Sequence, residues 1–288
     1  MTRRLAVAAA GLALIAAVGG DGRAQQPVFS SRVEAVRVDV LVVDQGRAVA
    51  GLAAADFELR DNGVSQEVTS VSQGDAPVSV VLALDVSKSM AGARLEELRA
   101  AGHALVGGLG PDDRAGIVAF SHVVTQPAPI TADLARVRAA LDAARAGGDT
   151  ALVDATQAAL VLGEAEIGRS LLVVFSDGVD TASFLPEDRV LESARRANAV
   201  AYGVWAGGPA RPAFLRALTD ATGGRLLDAA GGGLRQAFVD VLREARQRYL
   251  LAFTPHGVAT GGWHTLSVKV KGRRATVRAR PGYFGTAP

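Results

Sequence analysis

The stretch VSVVLALDVSKSM, residues 78–90, decides the architecture. Val78 to Leu84 reads as a strand covered on both faces, because the run lacks the polar alternation of a half-wet sheet. Apart from Ser79 near the start of the run, oxygen-bearing side chains come where it stops, at Asp85, Ser87 and Ser89. The period then changes, with Leu95, Leu98, Gly102, Leu105 and Leu109 at helical spacing. A buried strand that turns through a polar loop into a helix is the repeating unit of a parallel sheet. In such sheets, ligands bind beyond the carboxyl ends of the strands.

Downstream, the same alternation continues. Ala115 to Phe120, Leu171 to Phe175 and Val200 to Ala206 read as strands, with a short one at Leu226 to Leu227. Leu134 to Leu141, Leu152 to Leu162, Pro186 to Asn198 and Pro212 to Thr222 read as helices, the last stopped by Gly223-Gly224. A final helix carries Leu234, Phe238, Val241, Leu242 and Ala245 on one face. The fold class predicted is α/β, a doubly wound and mostly parallel sheet wrapped by helices.

Both flanks read as β. Val36, Val38, Val40 and Val42 alternate through one strand, and Phe57 to Arg60 and Val64 to Val68 flank Asn62-Gly63, a strong hairpin signal. Tyr249 to Phe253, Leu266 to Val270 and Ala275 to Ala279 follow the last helix, with Pro255 to Gly262 as a loop. Each flank alone has about three strands, which is marginal for an independent core. The two are therefore expected to pair into one small β domain, with Phe253, Trp263, Tyr283 and Phe284 filling its interior. The expected organisation is a leader over 1–24, an N-terminal β segment over 28–75, the α/β domain over 76–248 and a C-terminal β segment over 249–288.

The leader is read from Arg3 and Arg4, the apolar run Leu5 to Val18, and small residues up to Ala24. This is the pattern of a Sec-type secretory signal. The run is shorter than the roughly 20 residues of a spanning helix, so no membrane span is expected after cleavage. The mature protein is expected in the periplasm or outside the cell. Cleavage would take three of 31 basic and one of 29 acidic residues, leaving 28 of each. A neutral mature chain without a basic, aromatic stripe gives no reason to expect nucleic acid as a partner. The chain has no cysteine, which excludes disulfides, thiolate metal sites and cysteine nucleophiles.

Two further polar loops complete the pattern begun by Asp85, Ser87 and Ser89. Gly148-Asp149-Thr150 opens a helix, and Ser176-Asp177-Gly178 ends a buried strand. In order and spacing this set resembles the metal-ion-dependent adhesion site of von Willebrand factor A domains, over about Val78 to Arg248. Ala221-Thr222-Gly223-Gly224-Arg225 resembles a stretch found late in the same family. Val36 to Val40, Ala55-Asp56-Phe57 and Arg278 to Phe284 look like an exported acidobacterial branch of it.

The resemblance implies that Asp85, Ser87, Ser89, Thr150 and Asp177 hold one divalent cation, and that the aspartates tend to act through water. Hydroxyls and carboxylates are hard donors, suited to Mg²⁺, or to Ca²⁺ or Mn²⁺, and not to zinc. Only two of the five are carboxylates, and the resemblance implies that, by acting through water, they leave the ion under-neutralised. An open position on it would attract a carboxylate from a protein or other acidic partner.

Other chemistries fit less well. A haloacid-dehalogenase-type aspartyl phosphotransferase needs a second aspartate where Ser87 stands. No phosphate-binding loop or G-x-S-x-G elbow occurs, and His103, His122, His256 and His264 have no paired ligand spacing. No enzymatic activity is expected. Two readings remain: a metal-dependent binding or adhesion module, and a structural or assembly subunit whose metal site is idle.

Overall fold

The computed structural model describes residues 35–74, 76–164, 168–208 and 212–285. The leader expected over 1–24 lies outside the described residues, as does the start of the N-terminal β segment. In chain order, the first flank holds β1 (Val36–Asp44), β2 (Arg47–Ala48), β3 (Phe57–Asp61), β4 (Val64–Gln66) and β5 (Val68–Gln73). The middle runs β6 (Val78–Asp85), α1 (Ala93–Gly107), β7 (Arg114–Phe120), β8 (Val124–Thr131), α2 (Leu134–Ala143), α3 (Leu152–Glu164), β9 (Arg169–Ser176), α4 (Glu187–Arg196), β10 (Ala199–Trp205), α5 (Ala213–Thr222), β11 (Leu226–Asp228) and α6 (Leu234–Gln247). The second flank holds β12 (Tyr249–Phe253), β13 (Gly262–Val270), β14 (Thr276–Arg278) and β15 (Gly282–Gly285).

The central sheet has the order β11-β10-β9-β6-β7-β8. Its pairings are parallel except for β7 with β8. All eight residues of β6 are buried, which is why the strand reads as one apolar run. One face packs Leu82, Leu84 and Phe175 against Leu98 and Leu105 of α1 and Phe238 and Val241 of α6. The other packs Val81, Ala83, Leu172 and Val174 against α3, α4 and α5 through Leu160, Val190 and Leu218. Strand β8 was not foreseen. It carries Pro127 and Pro129 and takes the sheet edge, with register breaks against β7, where a missing backbone donor costs least.

The flanks are interleaved. One sheet runs β14-β1-β12-β5, with β2 on β1, and another β15-β13-β3-β4, so each draws strands from both ends of the chain. Val38, Val40, Phe57, Leu59, Leu251 and Phe253 form their common core. Asn62 and Gly63 have φ of 47° and 85°, the geometry the β3–β4 turn demands. The run Val64 to Val68, expected as one strand, divides at Glu67. Val64–Gln66 pairs with β3, and Val68 onward pairs with β12 in the other sheet. Gln66 anchors the crossing, donating to the His256 carbonyl at 3.0 Å and accepting from the His256 amide at 3.0 Å.

The aromatic filling expected for this core is half right. Phe253 and Tyr283 are buried in it. Trp263 is 36% exposed and meets Phe284 edge-on at 5.0 Å, while the Arg196 guanidinium lies 3.8 Å over the Phe284 ring. That pair caps the seam between β15 and α4, since Trp263 lies on the outward side of the β13 pleat.

A polar joint fastens the β layers to the amino-terminal end of the central sheet. Arg248, 1% exposed, donates to the carbonyls of Gly223 at 2.9 Å and Asp39 at 3.1 Å. Arg169 pairs with the Asp39 carboxylate at 2.6 Å. Gly223 takes φ of 77° where α5 stops, and a Cβ there would sit 2.4 Å from the Ala279 backbone, so the α5 terminus needs glycine twice over.

Candidate functional site

The site lies beyond the carboxyl ends of β6 and β9. Asp85 closes β6 and is fully buried. Its Oδ1 accepts the Ser87 amide at 2.8 Å, and its Oδ2 accepts the Ser176 hydroxyl at 2.7 Å. Ser176 was not singled out in the sequence, although it sits beside Asp177 in the same strand-end motif. Both groups that face the carboxylate are neutral. Burial pushes the Asp85 carboxyl above the ordinary aspartate range, more strongly than the Ser87 and Ser176 hydrogen bonds pull it back.

Four of the five candidate ligands form one chain of contacts. Ser87 Oγ lies 3.1 Å from Ser89 Oγ, and Ser89 Oγ donates to Asp177 Oδ1 at 2.8 Å. Asp85 joins through the Ser87 amide. Neighbouring ligands of an octahedral ion with bonds near 2.1 Å stand about 3 Å apart, and the Ser87–Ser89 and Ser89–Asp177 oxygen pairs stand at that spacing. Among the described residues, no cluster of three or more His, Cys, Asp or Glu side chains is placed for a metal, and hydroxyls make up the rest of this donor set.

Thr150 arrives by its backbone. The Gly147 amide donates to the Val86 carbonyl at 2.8 Å, and the Lys88 amide to the Gly148 carbonyl at 2.8 Å. The Thr181 and Ala182 amides donate to the Thr150 carbonyl at 2.8 and 3.1 Å. The loops after β6, before α3 and after β9 are thus stitched to one another, with Thr150 7% exposed between them. None of the described hydrogen bonds ties the Thr150 hydroxyl itself to the other four residues.

Two features escaped the sequence reading. The first is Arg94, in the first turn of α1, which pairs with Asp177 Oδ2. The second is a platform behind Thr150. Asp154 accepts the amides of Phe184 and Leu185 at 3.0 and 2.9 Å. Ser183 Oγ donates to Asp180 Oδ1 at 2.6 Å and accepts the amides of Val153 and Asp154 at 3.1 and 3.0 Å. The only sequence signal for it is the density of Asp, Ser and Thr over 177–183, which is also how ordinary turns read.

Residues 80–179 match the family model described as von Willebrand factor type A domain. Among solved structures, "von Willebrand factor type A from Catenulispora acidiphila" aligns over 82% of this chain and 74% of its own, at 17% identity and a TM-score of 0.52. An aerotolerance-related membrane protein from Bacteroides fragilis aligns over 59% of this chain and 99% of its own, at 20% identity and a TM-score of 0.50. The vWF domain of the type V pili tip protein Mfa5 from Porphyromonas gingivalis aligns over 37% of this chain, at 25% identity and a TM-score of 0.35; this chain spans 39% of it. No curated protein matches the chain at a significant level.

Proposed function

We propose that the von Willebrand factor type A domain of this chain is an exported binding module that holds a divalent cation and grips an acidic group on a protein partner. The observation that carries this reading is Asp85: a fully buried carboxylate faced by neutral donors, at the end of a hydroxyl–carboxylate chain with cation-ligand spacing. A buried carboxylate without a positive partner is costly, and a cation beside it would remove that cost. Ser87, Ser89 and Thr150 would present hydroxyls to Mg²⁺, or to Ca²⁺ or Mn²⁺, with Asp85 and Asp177 supplying the charge. The bound ion would supply a Lewis-acid position for an incoming carboxylate.

The protein's own part is to keep the donors in place. The backbone bonds between the loops hold the donor-bearing segments against one another, which lowers the ordering cost of binding. Among the described residues no helix is long and apolar enough to cross a membrane, and export through the leader 1–24 is part of the proposal.

One observation favours the alternative of an assembly subunit with an idle site: Arg94 already neutralises Asp177. Titration calorimetry with Mg²⁺ on wild type and Asp85→Ala separates the two. Saturable heat in the wild type, at least tenfold weaker in the variant, supports the binding module. Absence of heat in both leaves the idle site.

A further inference from the structure

The balance of charge along the chain is not kept in space. Residues 269–280 read KVKGRRATVRAR, with six basic residues and no acidic one. Lys269 lies near the end of β13, and Lys271, Arg273 and Arg274 on the turn to β14; all four are exposed. Among the described residues no salt bridge holds any of them. Lys271 Nζ donates to the Ala55 carbonyl at 2.9 Å, which uses a proton and leaves the charge.

The pleat adds to this face. Along β13, exposed Trp263, Thr265, Ser267 and Lys269 alternate with residues turned to the core. Arg60 of β3 stands opposite Ser267, and Ser65 of β4 opposite Arg60. The outer side of this sheet therefore has an aromatic end, a middle of hydroxyls and a basic end. From Trp263 to Lys271 it runs roughly 27 Å, at about 3.4 Å per residue.

The nearby carboxylates do not cancel the basic end. Glu58 pairs with Arg60 at 2.8 Å, and Arg60, with Lys269 and Lys271 behind it, holds the Glu58 carboxyl below the ordinary glutamate range. Asp56 accepts the Ala53 amide at 2.8 Å, Asp44 stands opposite Arg47, and Glu67 is exposed at the β4–β5 crossing. An excess of positive charge remains on Lys269, Lys271, Arg273 and Arg274. Charges on edge strands guard against stray pairing, but β13 lies inside its sheet, between β15 and β3. The aromatic end is fixed in place. The Trp263 indole lies over Gly282, where a Cβ would come 2.4 Å from the ring, and it meets Phe284 edge-on. A ring held against the sheet loses little entropy when a ligand covers it.

We propose that this outer sheet face binds a linear acidic polysaccharide, with carboxylates on its sugar rings, lying along β13. A sugar ring packs its C–H face on Trp263, sugar hydroxyls meet Thr265, Ser267 and Ser65, and carboxylates meet the four cations. Charge complementarity selects the polyanion, and the layout selects its kind. Single-stranded nucleic acid asks for aromatics interleaved with cations, so that successive bases stack; here the two stand at opposite ends. A membrane surface asks for apolar side chains among the cations, and the exposed large apolar residues of the described chain include none at the basic end. The face is built on the β layers, so it is independent of the cation site proposed above.

A galacturonic acid hexasaccharide and its methyl ester, titrated calorimetrically into the full chain in chelator at low salt, test it. Chelator removes metal-bridged binding through the sugar carboxylates. Each exposed charge pair corresponds to up to about fivefold in affinity, so the acid binds at least about tenfold tighter than the ester. Arg273→Gln/Arg274→Gln, on an exposed turn, weakens binding of the acid roughly tenfold and flattens its salt dependence, with the melting temperature unchanged. Trp263→Leu keeps apolar bulk over Gly282; it weakens the acid while its salt dependence stays as in wild type. Absence of binding, equal affinity for acid and ester, or an affinity that either variant leaves untouched overturns the proposal. So does tighter binding of a thymidine hexanucleotide, which assigns the face to nucleic acid, or of phosphatidylglycerol vesicles in co-sedimentation, which assigns it to a membrane.

Discussion

The two ends of the central sheet both bury carboxylates, and they treat them differently. At the amino-terminal end, Asp39 is met by Arg169 at 2.6 Å, with Arg248 at 3.7 Å, and Asp113 by Arg246. Each anion there has a cation, and Asp113 Oδ1 also accepts the Val78 amide at 2.9 Å. At the carboxyl-terminal end, Asp85 has an amide and a hydroxyl. One sheet therefore contains a closed electrostatic joint and an open one. The closed joint fixes the β layers to the α/β layers. Among the described residues, the open joint sets no cationic side chain in hydrogen-bond contact with the Asp85 carboxylate, which is the property the proposed cation site needs.

The strongest way to break this contrast is to open the closed end. Arg248→Met keeps the length of the stem and removes the guanidinium. It leaves the carbonyls of Asp39 and Gly223 without that donor and Asp39 with one cation fewer. Removing one partner from a buried ionic network costs about 3–5 kcal/mol, so urea denaturation should show a loss of that order. A loss under 1 kcal/mol would mean that the joint contributes packing alone.

At the open end the expected sign is reversed. Asp85→Asn, in chelator at neutral pH, should stabilise the protein by on the order of 1 kcal/mol, because it removes a buried charge. The amide oxygen can still accept from Ser87, and the amide nitrogen can donate to Ser176. The pH dependence follows from the raised carboxyl. Folding disfavours the ionised form, so wild-type stability from this group is fullest below the unfolded aspartate value of about 3.9 and declines as pH rises through the folded value. The advantage of Asp85→Asn should therefore be present at neutral pH and vanish on acidification, read from paired denaturation curves at several pH values. An advantage independent of pH would show that charge is not its cause.

What the sequence disclosed follows the same division between local and non-local causes. Strands covered on both faces, such as Val78–Asp85 and Arg169–Ser176, read directly as apolar runs, and so did the α/β class with its β flanks. Strand β8 did not, because Pro127 and Pro129 suggest a loop unless an edge is available to receive them. Strand β15 did not, because a four-residue strand with glycine at both ends has no alternation to read. At the site, Asp85, Ser87, Ser89 and Asp177 could be grouped because each sits at or near the end of a readable strand. Arg94, Asp154 and Ser183 could not be placed, since Arg94 meets Asp177 across 83 residues and Asp154 meets Phe184 across 30. Such contacts exist only once the sheet has brought the loops together.

Arg94 gives the finest test of how open the open end is. Its side chain is 48% exposed while Asp177 is 2% exposed, so the pair is half in solvent and its strength is discounted accordingly, to about 1 kcal/mol or less. If the guanidinium stands where a cation would draw on Asp177, Arg94→Gln should raise Mg²⁺ affinity by up to about fivefold, the equivalent of that energy. The gain should shrink with added salt, because an exposed pair is screened. The opposite result, weaker Mg²⁺ binding in Arg94→Gln, would mean that Arg94 orients Asp177 toward the ion and does not compete with it. In that case the arginine belongs to the site's scaffold, and the uncompensated charge at this end of the sheet is confined to Asp85.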